Sequence, residues 1–161
     1  MNPTLQGKVV DVEVESEYRG SIYERTVRIQ SNSETIDCFE GKSHVTEDDI
    51  NRDIDIVLLA RTRKADVISN SSEIGLERDE NADRKSKWHY TIFGRVKDIN
   101  TGKDSTTSDQ KLLVLDIGVG TIFAEHNEEI SNLVSTGGLS VGEIIQIECS
   151  RLEIIDRQSS T

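Results

Sequence analysis

One segment of this chain occurs twice, and the spacing between its two copies extends to other segments. Gly7-Lys8-Val9-Val10-Asp11-Val12 resembles Gly94-Arg95-Val96-Lys97-Asp98-Ile99, with Gly7 and Gly94 separated by 87 positions. Three further pairs follow in the same order at offsets of 86 to 88: residues 27–29 with 114–116, 35–36 with 121–122, and 55–60 with 143–148. A repeat at a fixed period predicts that one structural unit is built twice.

The repeat divides the chain of 161 residues into three parts. We predict a first unit over residues 5–68 and a second over 88–157, because two small domains fit this length. Residues 69–87 are polar, charged and poor in large apolar side chains. Such a stretch cannot bury enough surface to offset its ordering entropy, so it is predicted to be a mobile linker. A short helix over 73–83 is the alternative.

Each unit has the same order of predicted elements. Val10, Val12 and Val14 alternate with acidic residues, which is typical of a half-buried strand. Similar runs and turn residues predict the order β-β-β-α-β-β in both copies. The remaining strands are predicted over 22–30, 35–39, 54–61 and 64–68 in the first copy, and over 90–100, 111–119, 121–125, 143–149 and 151–156 in the second. Helices are predicted from Thr46 and over 128–135, the second ended by Gly137-Gly138.

This order of elements resembles the OB-fold, a small Greek-key barrel. The opening strand that begins Gly-Lys/Arg-Val and the run Val141-Gly142-Glu143-Ile144-Ile145-Gln146-Ile147 strengthen the resemblance to the OB domains of single-strand-binding proteins. The first copy departs from it, since Asp53-Ile54-Asp55 stands where the second has Val141-Gly142-Glu143. The predicted fold class is therefore mainly β, with two tandem five-stranded OB-like Greek-key barrels, each with one short helix between strands 3 and 4.

The charge of the chain limits the partners it can have. The formal net charge is −11, and no basic arm for nucleic acid is present. The acidity either serves solubility alone or reflects a high-salt cytoplasm, where screening would weaken any argument from net charge. Cys38 and Cys149 each lie in a predicted strand, so buried reduced thiols are expected. No apolar run of signal-peptide or membrane-span length occurs, and a cytoplasmic location without membrane contact is expected by elimination.

No motif in the chain indicates catalysis. Gly-rich phosphate loops, nucleophile elbows and zinc-protease motifs are all missing from the sequence. Gly118-Val119-Gly120 has the spacing of a strand bend rather than of a dinucleotide site. His44, His89 and His126 lack the spacing of a metal finger. We therefore expect no enzyme, no cofactor and no metal site.

The resemblance to OB domains implies where a ligand would bind. In that fold the binding face lies on strands two and three, flanked by the loop between strands one and two and the loop between strands four and five. The first copy combines aromatic and basic residues at those places, with Arg61-Thr62-Arg63-Lys64 as the fourth-to-fifth loop. The candidate nucleic-acid-binding residues are Tyr18, Arg19, Tyr23, Arg25, Arg28, Phe39, Arg61, Arg63 and Lys64.

Two functions follow from this surface. The first is non-catalytic binding of single-stranded DNA or RNA, with arginines on phosphates and aromatic rings stacked on bases. The alternative is a protein–protein interaction module with an acidic, solubilising surface, and a weaker third idea is an enzyme subunit whose chemistry lies on a partner chain. Binding to nucleic acid should weaken as salt rises because counterions are released, whereas an apolar protein interface should be less sensitive.

Overall fold

A computed structural model describes residues 3–68, 72–78, 88–101 and 111–158 of the chain. These residues form nine strands, one 3₁₀ turn and one α-helix, so the prediction of a mainly β protein is confirmed. In chain order they are β1 (Leu5–Tyr18), β2 (Ser21–Ser31), β3 (Glu34–Glu40), the 3₁₀ turn Glu47–Asp49, β4 (Asp53–Ile68), β5 (Gly75–Arg78), β6 (Tyr90–Thr101), β7 (Leu112–Asp116), β8 (Thr121–Glu125), α1 (Glu128–Thr136) and β9 (Ile144–Gln158).

All nine strands belong to one sheet, in the order β1-β2-β3-β9-β4-β8-β7-β6-β5. Additional pairings of β1 with β4 and of β9 with β6 close this sheet on itself. One ring of paired strands runs β1-β2-β3-β9-β4 and back to β1, and the other runs β6-β7-β8-β4-β9 and back to β6. The sheet is therefore ring-like, and two strands are common to both rings.

The prediction of two tandem barrels with separate sheets is wrong, because β4 and β9 each run through both rings. The start of β4 pairs with β1, where Gly7 faces Ile54, and its later part pairs with β8, where Leu59 faces Phe123. In the same way β9 pairs first with β6 and later with β3. β4 and β9 also pair with each other, in antiparallel fashion, along almost their whole lengths.

The predicted breaks between the fourth and fifth strands do not exist. Residues 61–64 continue β4, and residues 149–151 continue β9, with Thr62 paired to Cys149. Neither stretch contains the Gly, Pro, Asn or Asp that a tight turn needs, and the β-branched Thr62 favours extended backbone. The later part of β4 pairs with the early part of β9, as at Lys64 and Glu148, while the early part of β4 pairs with the later part of β9.

The core is continuous between the rings. One cluster of buried side chains includes Ile29 and Ile36 from β2 and β3 together with Leu113 and Leu115 from β7. These side chains are at most 1% exposed. A smaller cluster of Val57, Leu59, Leu112 and Phe123 lies apart from it. Because the apolar positions recur every second residue, each strand places one face in the main cluster.

The two predicted helices differ in kind. The first is only the 3₁₀ turn that follows Thr46, whose N–H donates to the Asp49 carboxylate at 3.0 Å. The second, α1, begins after Asn127, whose side chain accepts from the N–H of Ile130 at 2.9 Å. As predicted, α1 ends at Gly137, which has a φ of 74°. Glycine adopts this left-handed conformation without the steric cost that other residues carry.

The region predicted as a linker contains a strand. Residues 75–78 form β5 and pair with β6, from Gly75 opposite Phe93 to Arg78 opposite Tyr90. Residues 69–71 and 79–87 of that region lie outside the described residues. The unit boundaries 5–68, 69–87 and 88–157 stay a prediction.

Cys38 and Cys149 are buried and unbridged, as expected. Burial raises the pKa of both thiols, to about 12 for Cys149. Within the described residues, no helix is long and apolar enough to cross a membrane. The cytoplasmic location stays a prediction.

Candidate functional site

The hairpin of β1 and β2 extends past the rest of its ring. Only residues 25–31 of β2 pair with β3, so residues 21–24 have β1 as their sole described partner strand. Arg19 and Gly20 form the connecting turn with φ values of 52° and 82°. Two residues with positive φ make the hairpin turn whose twist suits the flanking strands. We call residues 13–24 the arm.

The arm carries three of the four large hydrophobic side chains that are exposed among the described residues. Among the described residues, the large hydrophobic side chains that are exposed are Val14 (40%), Tyr18 (59%), Tyr23 (53%) and Val141 (62%). The first three lie on the arm, and the guanidinium of Arg19 lies 5.1 Å from the centre of the Tyr18 ring. Val14 continues the alternation of Val10 and Val12 and lies opposite Arg25 of β2, but its side chain is exposed.

Carboxylates surround these side chains. The arm contains Glu13, Glu15, Glu17 and Glu24 against the single cation of its turn, Arg19. The Glu15 carboxylate accepts a hydrogen bond from the Thr26 hydroxyl at 2.6 Å, at the base of the arm. The arm therefore combines aromatic rings with a negative field, which repels phosphate and attracts cations.

The predicted ligand arginine at the base of the arm is engaged inside the protein. Arg25 is only 7% exposed, and its Nε donates to Glu47 at 2.9 Å while Nη1 donates to Ser43 at 2.8 Å. The hydrogen bond from Arg25 lowers the pKa of Glu47. This arginine holds the loop after β3 against the hairpin rather than facing solvent.

Arg28 is bound to a buried carboxylate. Its Nε donates to Asp37 at 2.9 Å, and Arg78 of β5 donates to the same carboxylate from the other side. Burial acts to raise the pKa of Asp37, but the hydrogen bonds from both arginines outweigh it and lower the pKa. The Asp37 N–H donates to the Tyr90 hydroxyl at 2.8 Å. This network ties β3 to β5 and β6.

Phe39 is covered rather than offered for stacking. Its ring lies 5.2 Å from that of Trp88 in an edge-to-face arrangement, and the Arg151 guanidinium lies 4.0 Å from its centre. The Trp88 indole N–H donates to the Thr26 hydroxyl at 2.9 Å. Trp88 therefore packs as an anchor between Phe39 and Thr26.

Arg61 joins two strands through its side chain, and the two basic residues after it are exposed. Nη1 of Arg61 donates to Glu125 at 2.9 Å and Nη2 donates to Glu153 at 2.6 Å. Arg63 and Lys64 are exposed on β4, where Lys64 faces Glu148 of β9. They lie within a continuous strand, so the loop predicted at this place is wrong.

The nine predicted residues therefore divide into three groups. Tyr18, Arg19 and Tyr23 come together on the arm, and Arg63 and Lys64 are exposed on β4. The other four, Arg25, Arg28, Phe39 and Arg61, each have partners within the protein. The carboxylates of the arm were not among the predicted site residues, although they alternate with Val12 and Val14 in the sequence. Within the described residues, no group of three or more His, Cys, Asp or Glu side chains could hold a metal ion.

Fold and site together define a mainly β protein with one ring-like sheet and a projecting acidic, aromatic arm. Comparison with protein families, with curated proteins and with solved structures found no match to this chain.

Proposed function

We propose that this chain is a non-catalytic binding protein that engages a basic surface of a partner protein through its arm. The observation that carries the proposal is the position of Val14, Tyr18 and Tyr23, three exposed hydrophobic side chains on one two-stranded projection. Tyrosines supply much of the binding energy at protein interfaces because they bury large area at a small entropic cost. Their exposure is unexplained by packing within the ring.

The charges of the arm support a basic partner. Glu13, Glu17 and Glu24 lie on the same projection as the two tyrosines, and Arg25 at its base is already paired with Glu47. A negative patch steers a positive surface to it and disfavours acidic partners. The net charge of −11 acts in the same direction over the whole molecule.

Site-specific photo-crosslinking tests this function. A benzoylphenylalanine placed at Tyr23 should give a discrete crosslinked protein in the cells that make this chain, and Tyr18→Ser should remove it. The same group at Gln30, exposed on β2 outside the arm, is the matched control and should give none. The crosslinked product should survive nuclease treatment. Absence of a product from position 23, or equal products from both positions, would contradict the proposal.

Single-stranded nucleic acid is the second candidate ligand. Exposed Tyr18 and Tyr23 with Arg19 against the Tyr18 ring support it, since aromatic rings and arginine stack on bases. Arg63 and Lys64 would add phosphate contacts. Labelled single-stranded DNA and RNA, titrated by fluorescence anisotropy at several KCl concentrations up to molar, test this candidate. Saturable binding that weakens with salt and is lost in Tyr18→Ala/Tyr23→Ala would support it, and no binding at any salt would overturn it.

We further propose that the two rings are OB-like units that have exchanged their last strands. Residues 64–68, expected as the fifth strand of the first unit, pair with the expected fourth strand of the second unit, for example Val67 with Ile145. Reciprocally, Leu58 of the first unit pairs with Ile154 of the second. The repeat in sequence supports two units of common origin, and the shared strands hold the arm on a rigid base.

A further inference from the structure

A groove lies between the strands β3 and β5, on the side of β3 that faces away from β2. One part of it, about 230 Å³, is lined by residue 34, by residues 73–77 and by Phe93. An adjoining part of about 180 Å³ is lined by residues 34–36 together with Leu76, Arg78 and Tyr90. Glu34 and Leu76 line both parts, so the groove is continuous along the two strands.

The walls of this groove are strand edges. β5 pairs with β6 on one side, and no other described strand pairs with its second side. On the side away from β2, β3 pairs with β9 only at Phe39. The N–H of Asp37 points away from β2, because it donates to the Tyr90 hydroxyl. Backbone alternation therefore directs the N–H and C=O of Thr35 into the groove.

Side chains around the groove select for a cationic and partly apolar occupant. Half-buried Ile74, Leu76 and Phe93 give it an apolar lining, while Glu34, Glu73 and Glu77 stand exposed along it. Arg78 also lines the groove, but its guanidinium is paired with Asp37. The three carboxylates beside the apolar lining therefore repel phosphates and carboxylates and attract lysine or arginine. The alternation of apolar and charged contacts matches the two faces of an extended strand.

We propose that this groove binds an extended segment of a partner protein with alternating lysine or arginine and apolar residues. The segment adds its backbone to the edges of β3 and β5 that have no partner among the described strands, which is the mode by which sheet edges accept peptides. Its apolar side chains contact Leu76 and Phe93, and its cations contact Glu34 and Glu77. This site is separate from the arm and does not depend on the arm's proposed role.

A blocked peptide of alternating lysine and valine is the probe that tests the proposal. Titration into the full chain, followed by amide NMR, should give saturable shifts at Thr35 and at residues 75–78. A peptide of alternating glutamate and valine should bind at least about tenfold more weakly, a difference of about 1.4 kcal/mol. The lysine–valine peptide with N-methyl groups at alternate positions should also lose binding, because it cannot complete the edge hydrogen bonds.

Matched variants distinguish binding in this groove from non-specific attraction of the peptide to an acidic protein. Glu34→Gln/Glu77→Gln should weaken the lysine–valine peptide about tenfold, whereas Glu128→Gln/Glu129→Gln at the start of α1 should leave its affinity unchanged. Tyr18→Ser/Tyr23→Ser should also leave the affinity for the lysine–valine peptide unchanged. A failure of the arm proposal can therefore be distinguished from a failure of the groove proposal. All the mutated side chains are exposed, so folding should persist. Equal binding by all variants and peptides, or no binding by any, would overturn the proposal.

Discussion

Asn51 and Gly142 occupy matching positions in the two rings. The N–H of Asn51 donates to the carbonyl of Val9 at 2.7 Å, and the N–H of Gly142 donates to the carbonyl of Val96 at 2.8 Å. Both residues have positive φ, at 74° and 96°. The valines are 87 positions apart but the turn residues are 91 apart, so the sequence alignment that placed residue 54 against Gly142 was shifted by three positions.

This match predicts opposite effects of two substitutions at Asn51. Asn51→Gly should leave the free energy of unfolding unchanged or raise it slightly, because glycine adopts positive φ freely. Asn51→Val should lower it by about 1–3 kcal/mol, because a β-branched residue is strained there. Urea unfolding followed by far-ultraviolet circular dichroism measures both, with Asn132→Ala on the exposed face of α1 as control. Equal losses for Gly and Val would contradict the match.

The repeated glycine at the start of β1 and β6 has a steric reason. A Cβ at Gly7 would lie 2.4 Å from Cγ2 of Ile29 and 2.9 Å from the carbonyl oxygen of Gln30. Gly7→Ala should therefore cost about 1–3 kcal/mol of unfolding free energy. Gly138→Ala is the control, since its Cβ would come no closer than 3.1 Å to any atom, and that atom is the end of the flexible Leu133 side chain. A Gly7→Ala protein with the same free energy of unfolding as the wild type would contradict the close contact between β1 and β2 at Gly7.

The shared strands predict that neither half of the chain folds alone. A fragment of residues 1–87 lacks β9, and a fragment of residues 88–161 lacks β4, so each ring would be open. We expect each fragment alone to show a poorly dispersed amide spectrum and the equimolar mixture to recover the spectrum of the full chain. A fragment that unfolds cooperatively by itself would instead indicate two independent barrels.

Asp37 should make the free energy of unfolding depend on pH. Its pKa is lowered in the folded state, so its contribution is complete above the pKa of the unfolded chain and disappears as pH falls through the folded value. Asp37→Asn leaves Arg28 and Arg78 without their carboxylate and should cost about 2–4 kcal/mol at pH 7. The loss should shrink toward pH 3. Urea unfolding at both pH values tests this, with exposed Asp66→Asn as control, and a loss independent of pH would contradict it.

Strands and the end of α1 were predicted well because they depend on residues that are close together along the chain. Alternation gave the first three strands of each ring, and Gly137 gave the end of α1. The continuous β4 was missed because alternation shows which side chains face inward but not which strand lies alongside. β5 was missed because residues 75–78 have too little apolar content to indicate a strand.

Only part of the binding surface could be predicted from the sequence, because a sequence does not show contacts between distant residues. A sequence does not show which carboxylate pairs with a given arginine, because the two can be far apart along the chain. Arg25 pairs with Glu47, and Arg61 pairs with Glu125 and Glu153. The tyrosines at the hairpin tip were recoverable because a two-residue turn places its neighbours beyond the core. Local turns therefore indicated the arm, while long-range ion pairs engage Arg25, Arg28 and Arg61 with carboxylates of the protein itself.

The most direct test of the arm as the binding surface places the photo-crosslinker at Ile22, next to Tyr23, and compares two double variants. With the photo-crosslinker at Ile22, Tyr18→Ser/Tyr23→Ser should abolish capture of the partner protein, because it removes the exposed rings of the arm. Arg63→Ala/Lys64→Ala should leave capture intact, because those side chains lie on β4 and outside the arm. Capture that persists without the tyrosines and disappears without the two basic residues would contradict the arm as the binding surface.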